Sequence, residues 1–201
     1  MATIYQTFGG ATNDQPPGWA PALVGTGAAF GVSGGALALT TGTGFNGGTA
    51  VYDQRIQPAG RLTGLVNFDS LTNFQCWFGC QIGGTDATVL TEGYRPAGFS
   101  LKLEPESGTI EVSHQPGVTV LSSVTGITYA NMTRFEFIVQ GNVAMARTWP
   151  DSSPIPPWQI ITSDPAPALG DRITIGWKNS NGVNDVLSLY HLQYDELNGS
   201  Y

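Results

Sequence analysis

The clearest structural pattern in the chain lies in residues 134–158, RFEFIVQGNVAMARTWPDSSPIPPW. Apolar residues occupy every second position at its start, Phe135, Phe137 and Val139, and strand side chains alternate between the two faces of a sheet. A Gly-Asn pair then supplies a tight turn, and the alternation resumes until Trp149-Pro150, where proline lacks the N–H that a ladder needs. The stretch therefore predicts a β-hairpin, followed by a rigid proline-rich loop that ends at a second tryptophan.

The start of the chain carries a second pattern. Phe8 is followed by PPGW at residues 16–19 and by GGALAL at residues 34–39. Together with the late hairpin, its Trp-Pro pair and its proline-rich loop, this pattern resembles concanavalin A-like jelly-roll domains, particularly those in minor tail and other virion proteins of phages of actinobacteria. The resemblance covers about residues 5–197. It implies two antiparallel sheets, with the first and last strands paired inside one of them.

Composition independently favours the same fold class. The chain has 27 glycines and 13 prolines among 201 residues, and 11% of its residues are charged. Such frequent turn residues are typical of many short strands. No window shows a sustained helical period with good helix formers. We therefore expect an all-β, two-sheet antiparallel jelly-roll sandwich with few or no helices, built as one domain over residues 1–201.

Charge and hydropathy limit the partners and the location. The formal net charge is -7 and there is no Lys/Arg cluster, which argues against nucleic-acid binding. No apolar run approaches the roughly 20 residues of a membrane span. The start, MATIYQTFGG, has neither the basic region nor the apolar run of a signal peptide. We expect synthesis in a host cytoplasm, no membrane insertion, and a final location in the virion.

Two cysteines, Cys76 and Cys80, lie four residues apart in a predicted strand. Residues i and i+4 of a strand share a face but stand about 13 Å apart, which is too far for a disulfide. We expect free thiols.

Catalytic patterns are missing. Retaining glycosidases of the laminarinase type carry paired carboxylates as E-x-D-x-x-E, and this motif is absent. The nearest approach, Glu104 and Glu106, falls at a predicted hairpin tip. There is no G-x-S-x-G elbow, and His114 and His191 are interpreted as polar sheet residues. We therefore predict no catalytic residue and no enzymatic activity.

Calcium is the metal ion that this kind of fold would bind, since lectin-like sandwiches sometimes hold it with loop Asp and Asn residues. Asn179, Asn181, Asn184 and Asp185 cluster in the segment KNSNGVND. Asn and Asp are also the ordinary residues of turns. We predict no metal site and no cofactor.

Loop aromatics are the candidate ligand contacts. An exposed aromatic ring can stack on the face of a sugar, and four such residues lie in or beside predicted loops: Trp19, Tyr94, Trp149 and Trp158. The same rings would equally serve to fill the ends of the core or to order a loop.

These observations, with the resemblance, predict a non-enzymatic bacteriophage virion protein with a structural or adhesive role, in a minor tail or tail-tip/fibre module. Its expected partners are other virion proteins, further copies of itself and a host cell-surface glycan. One alternative is a capsid decoration protein. The alternative from another class is a glycan-active enzyme or free lectin.

Overall fold

The computed structural model describes residues 3–42, 46–72, 76–85, 97–114, 119–179 and 185–197. No helix occurs within these ranges, so the predicted all-β class is confirmed. The strands are β1 Thr3–Thr7, β2 Trp19–Val24, β3 Ala29–Ser33, β4 Ala36–Thr40, β5 Asn46–Tyr52, β6 Gly60–Phe68, β7 Trp77–Gly84, β8 Phe99–Glu104, β9 Thr109–His114, β10 Thr119–Val124, β11 Met132–Gln140, β12 Val143–Pro150, β13 Ile160–Ser163, β14 Arg172–Asn179 and β15 Val186–Glu196.

The strands form two antiparallel sheets that pack as a jelly-roll sandwich. Sheet A has the order β13-β12-β11-β6-β15-β4-β3, with β1 paired to β15 beside β4, and sheet B has the order β10-β9-β8-β7-β14-β5-β2. The pairing of β1 with β15 runs from Thr3 opposite Asp195 to Thr7 opposite His191. The expected pairing of the first and last strands is therefore confirmed.

The organising hairpin forms in the predicted register. Gln140 pairs with Val143, so the turn has two residues, of which only Gly141 takes a positive φ, 59°. A single positive φ at the first turn position belongs to a II′ turn, whose twist matches that of the flanking strands. Trp149 then lies opposite Arg134. This register fixes which side chains of the hairpin share a face.

The inner faces of the two sheets fill the core as the alternation predicts. Phe135, Phe137 and Val139 are buried, and Phe135 meets Phe78 of sheet B with ring centroids 5.4 Å apart. Trp177 is fully buried and donates from Nε1 to the carbonyl of Thr40, at 3.0 Å. The core therefore runs continuously between the sheets.

The sequence pattern does not indicate two of the strands. Trp19, which the sequence places in or beside a loop, begins β2 at the edge of sheet B. The short β13 forms beyond the proline-rich loop and pairs with β12. Both are edge strands, whose formation depends on the neighbouring strand more than on their own composition.

Cys76 and Cys80 are free and buried on the core face, while Trp77 points to the opposite side of β7. Burial raises the pKa of both thiols well above the usual range for cysteine. Within the described residues, no helix has the length and apolar character needed to cross a bilayer.

Phe137→Ala is expected to lower the free energy of unfolding by about 3–5 kcal/mol, the usual cost of removing a buried aromatic side chain. The matched control is Ile138→Ala on the same strand, because Ile138 faces outward and is partly exposed. It should cost about 1 kcal/mol or less. Urea denaturation measures both. Equal losses for the two variants would contradict the assignment of the core face.

Candidate functional site

The outer face of sheet A carries most of the polar side chains that the hairpin positions. Strand pairing sets outward side chains of β12, β11, β6, β15 and β1 in two neighbouring rows. The first row is Trp149, Arg134, Leu65, His191 and Thr7, and the second is Arg147, Glu136, Thr63, Gln193 and Tyr5.

Glu136 is the centre of this face. Its carboxylate is almost fully buried, and it accepts from Arg61 Nε at Oε1 and from Arg147 Nε at Oε2, each at 2.6 Å. A second contact from Arg147 Nη2 to Oε2, at 2.5 Å, completes the pairing. A buried carboxylate is stable only when charged partners satisfy it. Glu136 therefore fixes both arginines against the sheet.

Arg147 links the sheet to the proline-rich loop. Its guanidinium lies over the ring of Trp158, 4.3 Å from the centroid, and 5.8 Å from that of Trp149. It also donates from Nη1 to the carbonyl of Pro156, at 2.9 Å. Cation–π contacts of this kind are stabilising when the cation is partly desolvated. The loop is therefore attached to the outer face of sheet A through one arginine.

Gln159 holds the end of this loop in place. Its side-chain Oε1 accepts from the backbone N–H of Thr148 at 2.7 Å, and its Nε2 donates to the carbonyl of the same residue at 3.0 Å. The side-chain amide thus takes the place of a strand neighbour for β12 before β13 begins. This arrangement satisfies edge groups that would otherwise be unpaired.

A groove of about 380 Å³ lies between the folded-back loop and the strands of sheet A; we call it the sheet A groove. It is lined by Arg61, Thr63, Gly64, Arg134, Phe135, Glu136, Trp149, Asp151, Ser153, Ile155 and His191. On the loop side, Arg134 Nε donates to Asp151 Oδ1. The groove therefore presents arginine, threonine and histidine groups beside one wall of apolar and aromatic side chains.

His191 lines the groove, and Tyr5 lies beside it on β1, outside the lining of the groove. Their rings stack with centroids 6.3 Å apart, and Tyr5 is 57% exposed. Burial first, and then the positive charge of Arg134, lower the pKa of His191 below the ordinary histidine value of 6.5, although Asp151 acts in the other direction. The neutral form of His191 is therefore favoured, and the arginines are the main positively charged groups of the groove lining.

The structure brings two of the four predicted ligand contacts together and places a third in the core. Trp149 and Trp158 come together around Arg147, and Trp149, with 8% of its surface exposed, lines the groove. Trp19 is buried in the core and packs on Tyr52, with ring centroids 5.2 Å apart. Tyr94 lies outside the described residues. A ligand role for these four residues stays a prediction.

The residues weighed for calcium are only partly described. Asn181 and Asn184 lie outside the described ranges, while Asn179 and Asp185 are buried. Asp185 Oδ1 accepts from the N–H of Val186 at 3.0 Å. Among the described residues, no three His, Cys, Asp or Glu side chains are grouped as a metal site would require.

Carboxylates also occur on the outer face of sheet B. Glu104 points outward from β8, with Oε1 3.4 Å from Lys102 Nζ and Oε2 accepting from Ser107 Oγ at 2.9 Å. Glu111 lies opposite Lys102 on β9, so it is a diagonal neighbour of Glu104. Glu106, the other member of the pair considered from the sequence, is exposed in the turn between the strands.

Comparison with solved structures gives the fold family. The VIP36 exoplasmic/lumenal domain, in its Ca²⁺/Man3GlcNAc-bound form, matches with a TM-score of 0.70 at 10% identity, over 94% of this chain and 90% of its own. The carbohydrate-binding module CBM66 from Bacillus subtilis matches at 0.64 and 7%, over 94% and 99%. A prokaryotic β-1,3-1,4-glucanase (lichenase) from a mouse hindgut metagenome matches at 0.68 and 11%, over 98% and 100%.

These neighbours are concanavalin A-like lectin and glucanase jelly rolls, and the fold of this chain is of that kind. No family model matches the sequence, and no curated protein matches it. At such low identity the likeness carries the fold alone, since this architecture supports both binding and hydrolysis.

The sequence does not identify Tyr5, Arg61 or Arg134 as site residues. Each lies on a strand, where outward polar and aromatic side chains are common. The usable signal was the alternation itself, because Arg134 and Glu136 are out of phase with Phe135 and Phe137 and must face away from the core. Nothing local indicated that β1 and β6 would contribute to the same surface.

Glu136→Gln is expected to lower the free energy of unfolding by about 2–3 kcal/mol, the range for a hydrogen bond to a charged group. The full cost of breaking a buried ion pair, about 3–5 kcal/mol, is not expected because Arg61 is 46% exposed in its side chain. The control is Glu111→Gln, which is half-buried and accepts from Ser113 Oγ at 2.9 Å. Urea denaturation showing the same small loss for both would contradict a central role for Glu136.

Proposed function

We propose that this protein is a non-catalytic, glycan-binding component of a bacteriophage particle, in a minor tail or tail-tip/fibre position, and that the sheet A groove is its binding surface. The observation that carries the binding proposal is the groove itself, with arginine and threonine groups on its floor, Trp149 on one side and exposed Tyr5 beyond the other. Sugars are bound by hydrogen bonds to polar groups together with contacts to aromatic rings.

The extent of this surface suits an oligosaccharide. Trp149 and Tyr5 lie on β12 and β1, four strand spacings apart across β11, β6 and β15. At about 4.8 Å for each spacing, the span is about 19 Å. A lectin-like fold adds support, since carbohydrate ligands are named for solved neighbours such as the Man3GlcNAc-bound VIP36 domain.

The carboxylates of the groove favour binding over hydrolysis. Glycosidic cleavage needs one carboxyl group as a proton donor and a second as base or nucleophile. Both oxygens of Glu136 already accept hydrogen bonds from arginines, and Asp151 is paired with Arg134. Neither side chain is free to act on a glycosidic oxygen.

A glycan-active enzyme is the second candidate, and one observation favours it. Glu104 and Glu111 are diagonal neighbours on the outer face of sheet B, a relation in which Cα atoms stand about 7–8 Å apart. That separation is compatible with the carboxyl spacing of glycosidases. Glucanases also occur among the solved neighbours.

The virion location is proposed from the sequence pattern, because the opening motif and the late hairpin resemble phage virion domains. Copies of the chain are proposed to assemble with one another and with other virion proteins, as is common for particle components. Mass spectrometry of purified particles should detect the protein, and immunogold labelling should place it on the tail. Labelling of the head would instead favour the capsid decoration alternative, and absence from particles would contradict the virion role.

Tyr5→Ala is expected to weaken binding to host cell-wall oligosaccharides about two- to twelvefold, because an aromatic contact contributes about 0.5–1.5 kcal/mol. Isothermal titration calorimetry measures the change. The control is Val120→Ala, since Val120 is an apolar residue on β10 of sheet B that is 50% exposed. Unchanged affinity in Tyr5→Ala would contradict a binding surface that extends from the groove to Tyr5.

The same preparations distinguish binding from turnover. No new reducing ends are expected when the protein is incubated with these oligosaccharides. Release of reducing ends that Glu104→Gln or Glu111→Gln abolishes would establish the enzyme alternative and overturn the non-catalytic proposal.

A further inference from the structure

Two arginines line the sheet A groove. The Nε of each guanidinium group is bound by a carboxylate, and the side chain is still partly exposed. Arg61 donates from Nε to Glu136, and Arg134 donates from Nε to Asp151. Within the described part of the chain, neither side chain has a second hydrogen-bond or ion-pair partner. The side chains are 46% and 39% exposed. Each guanidinium is therefore oriented by a carboxylate while its terminal N–H groups stay accessible.

This arrangement lowers the cost of binding an anion. A free arginine side chain loses considerable rotamer entropy when it is fixed on a ligand. Here the carboxylates of Glu136 and Asp151 have already restricted Arg61 and Arg134. The guanidinium is also planar and presents paired N–H donors, which match the two oxygens of a carboxylate.

The distribution of charge points to the same ligand chemistry. The whole chain has a formal net charge of -7 and only 8 Lys and Arg residues. Three of these, Arg61, Arg134 and Arg147, lie on the outer face of sheet A around the groove. Exposed guanidinium groups can attract an anion locally although the net charge of the whole protein is repulsive.

The neighbouring acids limit how much negative charge this face accepts. Glu136, Asp151 and Asp195, which lies opposite Arg61 on β15, equal the three arginines in number, so this face has no large excess of positive charge. A group with a single negative charge meets less repulsion from these carboxylates than a phosphate monoester, which carries nearly two.

We propose that the sheet A groove recognises an acidic, carboxylate-bearing glycan, with Arg61 and Arg134 each placed to bind a carboxylate of a uronate-containing oligosaccharide and Tyr5 and Trp149 contacting its sugar rings. This rests on the proposed glycan-binding function and specifies its ligand class. Thr63, between the two arginines on the floor of the groove, is placed to bond a hydroxyl group of the same oligosaccharide.

The test compares acid and neutral forms of one sugar chain. The affinity of the protein is measured for oligomers of galacturonate, of mannuronate and of glucuronate-containing hyaluronan. Each value is compared with the affinity for the methyl ester of the same oligomer, which keeps the rings and hydroxyl groups but lacks the charge. We expect at least one acid oligomer to bind ten or more times more tightly than its ester. The preference should fall as NaCl is raised from 0.05 to 0.5 M, because salt screens exposed charges.

Variants then locate the effect. Arg134→Gln and Arg61→Gln should each lower the affinity for the acid oligomer about 10- to 100-fold and leave the affinity for the ester nearly unchanged. Arg134→Gln is the safer variant for folding, since Arg61 also satisfies buried Glu136, and thermal unfolding confirms that each is folded. The control is Arg55→Gln, an exposed arginine paired with Asp171 away from the groove, and it should bind as the wild type does.

The outcomes separate this proposal from the one it rests on. The acidic ligand class would be wrong if the acid and the ester bound equally well, or if neutral glycans alone were bound. If Tyr5→Ala weakened that binding, the proposed glycan-binding function would still hold. Acid preference that survives both arginine substitutions would also overturn the proposed recognition by Arg61 and Arg134. If no acidic or neutral oligosaccharide binds, the proposed function itself is wrong.

Discussion

The structure depends on the two-residue alternation of β11. One face of this strand gives Phe135, Phe137 and Val139 to the core, and the other gives Arg134, Glu136 and Ile138 to the outer face of sheet A. Because side chains of a strand cannot change faces without a slip in register, the same pairing that builds the core also fixes the groove. A slip of one residue would bury two charged side chains in the sandwich and would expose three large apolar ones.

The second constraint is the burial of Glu136. A carboxylate removed from water is stable only with charged partners, and here two arginines from the neighbouring strands β6 and β12 supply them. Arg147 in turn lies over the ring of Trp158 and donates a hydrogen bond to the carbonyl of Pro156. One buried charge thus connects three strands with the proline-rich loop. The wall of the groove and the orientation of its arginines have this common physical origin.

The groove lies on the sheet that contains the first and last strands, and its chemistry is distinct from that of the other outer face. Sheet A presents arginines that are paired with buried Glu136 and exposed Asp151. Sheet B presents Trp77 with Lys102 5.9 Å from its ring, together with Glu104 and Glu111. The two outer faces therefore differ in the ligands that they could bind. Binding at one of them and catalysis at the other are separate hypotheses, which is why carboxylate substitutions on sheet B and arginine substitutions on sheet A give independent answers.

Four features could be predicted from the sequence, because alternation and turn chemistry are local properties: the fold class, the β11–β12 hairpin, the core face of β11 and the free state of the cysteines. The sequence did not determine β2 and β13, whose pairing depends on partner strands that are distant or separated by a loop. Nor did it indicate the site: Tyr5, Arg61 and Arg134 come from the beginning, the first third and the latter half of the chain. Only the order of strands in sheet A brings them to one surface, and strand order is set by the global packing of the sandwich rather than by any local pattern. Trp149 and Trp158 were found from the sequence as neighbours of prolines, but their common contact with Arg147 follows from the tertiary fold, since it requires the loop to fold back over the sheet.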